Sequence, residues 1–332
     1  MKNKILPLVF LFFCINSVVY SQESDVDRFI ADMLTLAGNF AQPAADGAAY
    51  QAGAGWFSSA ESLEKWDFRV SVHGNALFIP DDEKNFSLQN SQLRLLEIEG
   101  AQSAEVPSAF GGFTDVYYTG EIGYTDPATG DPASETIRFK AFDGIDRDYV
   151  PHAFAQVAVG LPKGTEFTLR AMPEVTIDGV TASTFGAGLK HNFNQYFRNN
   201  YPGSFQIAAA IAYSKFFVEY DYKEITVENL VRMNNISVDA DLWMLEAIGS
   251  KRWGAFELFG ALGATRSQFD YEMGGGGIAL GEVNSQLKNL GEAQTQLKAD
   301  LGFNLHFSVF RISAMATGGD FFNANLGLHV KI

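Results

Sequence analysis

Five histidines are the chain's obvious proton carriers, and they stand singly: His73, His152, His191, His306 and His329. None belongs to an HExxH or comparable ligand spacing, so the sequence points to no metal site and calls for no cofactor. No GxSxG occurs and no Ser/His or Asp/His grouping resembles that of a hydrolase, so the chain does not read as an enzyme. "GLPKG" (160–164) reads as a turn between two strands rather than a phosphate loop, because no helix follows it. "MGGGG" (273–277) reads as a flexible external loop. The acidic groups Asp81, Asp82 and Glu83, with Asp143, Asp146 and Asp148, could bridge divalent cations to lipopolysaccharide, although solvated loops are the simpler reading. What remains is a set of isolated polar groups, and the elements that carry them decide what they do.

The first residues bound the compartment. Met1-Lys2-Asn3-Lys4 is a short positive stretch, Ile5 to Tyr20 is an apolar run, and "VYSQ" (19–22) offers a cut near Gln22. That pattern predicts a signal peptide over 1–21, too short for a membrane span of about 20 residues. Cys14, the only cysteine, lies inside it behind Phe12 and Phe13, where a lipoprotein signal would need small residues. Without Lys2 and Lys4 the 24 basic residues fall to 22 against 39 acidic ones, a net charge of −17. Nucleic acid is excluded as a partner, since phosphate binding needs a basic face.

Period-two alternation runs through the rest of the chain, placing successive side chains on opposite faces of strands. Trp66, Phe68, Val70, Val72, Ala76 and Phe78 oppose Asp67, Arg69, Ser71, His73 and Asn75. Leu297, Ala299, Leu301, Phe303 and Leu305 oppose Gln296, Lys298, Asp300, Asn304 and His306. The polar faces carry Arg69, Glu166, Arg170, Lys190, Lys298 and Asp300. These strands read as about 9–13 residues long, beyond the usual mode near 5–6 and suited to crossing a bilayer at a tilt. Tight links are expected at "YSK" (213–215), "GSKR" (249–252) and "HFS" (306–308), and long polar loops at 194–203, 223–235 and 266–292. With aromatic residues near strand ends, such as Phe216, Phe217, Trp243 and Trp253, the pattern predicts an all-β, transmembrane, antiparallel outer-membrane barrel over 65–332. Fourteen strands are expected, or twelve if those near 88–98 and 135–142 do not cross. The closing stretch Asn325 to Ile332 alternates to the final residue and resembles the signal read by the barrel assembly machinery, with Ile332 where an aromatic residue is more usual.

Residues 22–64 do not alternate. Val26, Phe29, Ile30, Met33, Leu34 and Ala37 fall at helical spacing, with Ser24 as N-cap, Asp27 three residues on and Gly38 as the stop. An Ala/Gly-rich coil bearing Trp56 and Phe57 follows. An amphipathic helix needs an apolar surface, so this segment is expected to fold into the lumen as a plug; a periplasmic tail is the alternative.

A plug of about forty residues, about fourteen strands and a strand at the C-terminus together resemble the long-chain fatty-acid transporter (FadL-type) family. That family's Asn-Pro-Ala-type segment is absent, and "GWFSSAESL" (55–63) sits in its place. "GWFSSA", "VPSAFGG" (106–112), "VAVGLPKGTEFTLRAMPEV" (157–175) and "FGAGLKHNFNQ" (185–195) more closely resemble an uncharacterised family of secreted barrel proteins from outer-membrane-bearing bacteria. The transporter resemblance implies that a hydrophobic ligand passes from a lumenal pocket through a lateral opening. Phe29, Ile30, Met33, Leu34, Trp56 and Phe57 would then contact a fatty-acid-like small molecule. A structural or surface-binding barrel and a polar-solute porin are the other readings. The expected surroundings are outer-membrane lipid and lipopolysaccharide.

Overall fold

The computed structural model describes residues 24–125, 129–177, 179–197, 205–227, 230–288, 291 and 293–332, and the leader expected at 1–21 lies outside them. The chain begins with helix α1 (Asp25–Gly53) and an irregular strap to residue 66, then enters β1 (Phe68–Phe78). An excursion over 79–148 carries five short strands: β2 (Asn85–Gln89), β3 (Glu97–Ile98), β4 (Ser103–Pro107), β5 (Tyr117–Thr125) and β6 (Pro132–Lys140). The chain continues through β7 (Tyr149–Leu161), β8 (Thr165–Ile177), β9 (Val180–Asn192), β10 (Gln206–Val227), β11 (Val231–Trp253) and β12 (Phe256–Gly276). A short helix, α2 (Leu280–Leu287), precedes β13 (Gln294–Phe307), β14 (Phe310–Gly319) and β15 (Phe322–Lys331). β1 pairs with β7 on one side and β15 on the other, so β1 and β7 to β15 close an antiparallel ring of ten strands.

Ten replaces the fourteen suggested by alternation. The stretches near 88–98, 113–124 and 135–142 fall in the excursion, where β2 pairs with β4 and β5 lies between β3 and β6. The stretches 204–213 and 215–223 are one strand, because Tyr213, Ser214 and Lys215 pair in unbroken register with Trp243, Leu242 and Asp241. Period two reports that a strand has two unlike faces; it does not say whether the strand crosses lipid. The supposed loops at 223–235 and 266–292 likewise extend β10, β11 and β12 to 22, 23 and 21 residues before the chain turns.

An outward apolar belt runs around the wall. Outward Leu245, Leu262, Leu297 and Leu301 are each more than 60% exposed. Phe78 packs with Tyr149 and Phe322 at one rim, and Trp253 with Phe256 at the other. The eleven residues of β1 at about 3.3 Å each and a tilt near 40° give roughly 28 Å, close to the apolar band of about 25 Å. Beyond Tyr213 and Trp243 the outward residues turn polar: Lys215, Asp241, Gln268 and Asp270. The upper rim carries the 70-residue excursion and these extensions, and the lower rim holds residue 68, residue 332 and the 161–165 turn; in an outer membrane, with its short periplasmic turns and long external loops, the upper rim would face outward. The start of the expected 194–203 external loop instead leaves β9 at this lower rim. Among the described residues no helix is long and apolar enough to cross a membrane.

α1 starts as expected, with a capping box between Ser24 and Asp27, but runs through Gly38 and Pro43 to Gly53. Glycine and proline cost a free helix about 1 and 3 kcal/mol. Here Phe40, Ala41, Ala45 and Ala49 are all buried, and that burial offsets the cost. Replacing outward Leu301 by Arg should lower unfolding free energy in lipid vesicles by about 2–4 kcal/mol, read from urea titrations. Gln268→Arg, outside the belt, should shift it by about 0.5 kcal/mol or less.

Candidate functional site

The lumen is occupied by the C-terminal half of α1 and the strap, and the inward charges of the wall are aimed at their backbone. A helix ends with unpaired carbonyls and a partial negative charge, and α1 has no basic residue in its last turn. The wall supplies the cations instead. Arg170 Nη1 on β8 donates to the carbonyls of Ala52 (3.0 Å) and Ala54 (2.9 Å), its guanidinium stacked between Trp56 and Phe154 at 4.1 and 4.0 Å. Lys298 Nζ on β13 donates to Gly53 O at 3.1 Å while pairing with Glu246 (2.8 Å) and Asp300 (2.9 Å).

The strap is held the same way down to the lower rim. Lys190 Nζ donates to the carbonyls of Ser59 and Glu61, at 2.9 and 2.7 Å, with Glu166 3.5 Å away. Asn192 donates to Ala60 O, Asn304 to Ser58 O, and Glu257 accepts from Ser59 Oγ, Asn304 and His306 Nε2. Glu166 also accepts from the Leu63 amide and pairs with Arg69. Buried charges are costly unless paired and hydrogen-bonded, and their partners here include the carbonyls of Ala52, Gly53, Ala54, Ser59 and Glu61 and the Leu63 amide. The wall and the segment are one polar system.

His73 and its neighbours have the order of a nucleophile, base and orienting amide. Nδ1–H donates to Asn325 Oδ1 at 3.1 Å, which leaves Nε2 to accept from Ser71 Oγ at 3.1 Å. Ser71 is 3% exposed, and the imidazole is stacked on Phe154 with centroids 4.7 Å apart. There is no room for a substrate at the hydroxyl, so the group ties β1 to β15 across the seam. His329, hydrogen-bonded to Ser313 and Arg311, adjoins it edge-on at 5.0 Å. No cluster of three potential metal ligands occurs among the described residues.

The six apolar residues singled out in the sequence separate into two groups. Trp56 and Phe57 lie in the lumen beside the Arg170 and Lys190 cations, with ring centroids 6.1 Å apart. A Cβ at Gly186 would come 2.8 Å from the Trp56 ring, and one at Gly188 3.1 Å from that of Phe57, so the "FGAGLK" glycines make space for the two aromatics. Phe29, Ile30 and Met33 are buried on α1 and Leu34 packs half-buried on the same apolar cluster. Of the six, Ile30 lines an open groove of about 620 Å³ at the upper end, with Val26, Tyr124, Leu230 and Ile278. Asp32 went unnoticed in the sequence, yet its buried carboxylate accepts from the amides of Arg94, Leu95 and Leu96 at 2.7–2.8 Å and pins α1 to the excursion. A single Asp beside an apolar stripe gives no sequence signal of such a role.

This geometry defines an outer-membrane type of antiparallel barrel, closed at ten strands and filled by its own N-terminal segment. The chain belongs to a family of unknown function (DUF6588), whose model matches residues 1–332. No curated protein matches it. Among solved structures it is similar to the β-domain of the Bordetella autotransporter BrkA, at 10% identity over 80% of this chain and 99% of that one, with a TM-score of 0.37. It is also similar to the translocator domain of NalP from Neisseria meningitidis (11%, 91% and 98%, TM-score 0.29) and to Ail of Yersinia pestis (11%, 81% and 99%, TM-score 0.27). The fatty-acid transporter likeness has no counterpart among these.

Arg170→Met leaves the Ala52 and Ala54 carbonyls without their charged donor. It should destabilise the folded barrel by about 3 kcal/mol, measured as a lower urea midpoint in detergent micelles.

Proposed function

We propose that this protein is a sealed outer-membrane barrel that binds a hydrophobic small molecule at its outer end and does not conduct polar solutes. The observation that carries this reading is the spending of wall charges on the segment's own backbone. Arg170, Lys190 and Lys298 each donate to strap or helix carbonyls, which leaves them no free face toward a solute path. The ligand class follows from the apolar lining of the open groove at the upper end, whose volume of about 620 Å³ is within the range of small-molecule sites. Val26, Ile30, Leu230 and Ile278 would supply apolar contact, at about 0.8 kcal/mol for each CH₂ buried. Outer-membrane lipid would surround the belt, and the barrel assembly machinery would take the strand from Asn325 to Ile332.

Passive uptake of the same hydrophobic class is a second reading, favoured by the placement of Ile30 on the groove and of Trp56 and Phe57 further down the same segment. Passage would require α1 to shift, exposing Phe29, Met33 and Leu34 to the ligand. The two readings separate in reconstituted vesicles. The intact protein should pass neither sugars nor ions, whereas a variant lacking residues 24–64 should swell vesicles in sugar solution. Sugar flux through the intact protein would sink the sealed-barrel reading. A fluorescent fatty acid such as parinaric acid should bind the intact protein, and Ile30→Asp should weaken that binding by about tenfold, equal to about 1.4 kcal/mol.

A further inference from the structure

The direction of the N-terminal segment through the ring has a consequence for where that end of the protein lies. At the lower rim Trp66 N donates to Gly160 O (2.8 Å), and Phe68 N to Ile332 O (3.2 Å). Residues 66–68 therefore sit beside the C-terminus and the β7–β8 turn. Going backwards along the chain, each fixed point is higher than the last. Leu63 bonds Glu166 near the foot of β8, and Ala52 to Ala54 meet Arg170 and Lys298 partway up the wall. Gln51 Nε2 reaches Val150 O (3.0 Å) and Tyr50 packs on Phe321, both at the upper rim. Phe40 packs against Phe142 and Tyr220 above the belt, and Asp25 accepts from the Gly123 amide of β5 in the excursion.

The wall surrounds this path. The points where α1 and the strap touch it include residues of β7, β8, β9, β12, β13 and β14. At 1.5 Å per residue the 29 residues of α1 extend roughly 44 Å, more than the whole thickness of an apolar band of about 25 Å. A helix whose last turn lies within the wall must then begin well outside it.

We infer that the polypeptide threads its own pore, so that Ser24 and the start of α1 are presented on the outer surface while residue 65 and the C-terminus lie on the periplasmic side. The inference rests on the outer-membrane reading above. It makes the start of α1 part of the outward-facing module formed by the excursion, and it orders assembly: the seam between β1 and β15 has to close with the segment already inside the ring. Sealing and display are then two results of one path.

The chain's only cysteine is Cys14, so with Cys14→Ala single cysteines placed elsewhere report without background. Ser24→Cys tests the threaded end, Lys65→Cys the lower rim and Glu97→Cys the excursion, all three positions being exposed. Asp27→Cys is a second reporter at the threaded end; Ser24 and Asp27 share the capping box of α1, so each variant removes one half of it and the folding check below applies to both. Intact cells are treated with a membrane-impermeant maleimide, before and after permeabilising the outer membrane, and folding of each variant is checked by heat-modifiable migration. Ser24→Cys and Asp27→Cys should label on intact cells as fully as Glu97→Cys, and Lys65→Cys only after permeabilisation. Labelling of Glu97→Cys but of neither N-terminal reporter on intact cells would overturn threading and leave the outer-membrane reading standing. Equal labelling of Lys65→Cys and Glu97→Cys on intact cells, or labelling of Lys65→Cys alone, would overturn the membrane orientation itself.

Discussion

A ten-stranded ring has a lumen that side chains alone do not fill, since about eight strands already mark the width at which side chains meet across a barrel. Everything else in the molecule answers to that constraint. The filler here is the chain's own backbone, and backbone carbonyls taken away from water need donors. Arg170, Lys298 and Lys190 provide them, and without those three contacts the end of α1 and the strap would carry unsatisfied carbonyls in the middle of the protein.

The composition of the segment follows from the same demand. A filler has to be slim, which accounts for the alanines and glycines of α1, and it has to be gripped, which accounts for Trp56 and Phe57 stacking against cations beside the glycines of β9. Removing a wall cation would leave buried acceptors unpaired, whereas removing an outward leucine touches only the contact with lipid. The two halves of the wall therefore fail for different reasons.

Beyond the closed lumen lies the rim that carries the excursion. There α1, the excursion and the long hairpins of β10 to β12 build an apolar core continuous with the packing around Trp56 and Phe57, with Leu88, Leu96, Tyr118 and Ile137 buried among residues of the helix. The Ser71–His73–Asn325 group shows that an arrangement familiar from hydrolysis can serve as a seam link when no space opens at the hydroxyl.

Alternation, a property of adjacent residues, was enough to read an antiparallel barrel with a polar interior, to mark Arg170, Lys190, Lys298 and Glu166 as inward, and to give the N-terminal segment a helix starting at Ser24. Those features depend on local periodicity and capping, which any short window of sequence contains. The number of crossings depended on long-range pairing: β10 is continuous because Tyr213 to Lys215 have partners on β9 and β11, and β3, β5 and β6 miss the ring because they pair with one another. The passage of α1 through Gly38 and Pro43 likewise depended on walls from distant parts of the chain that outweigh local propensity. The same holds for Asp32 and for the carbonyl targets of the wall cations, because a charge's partner is settled by which backbone the closed ring encloses.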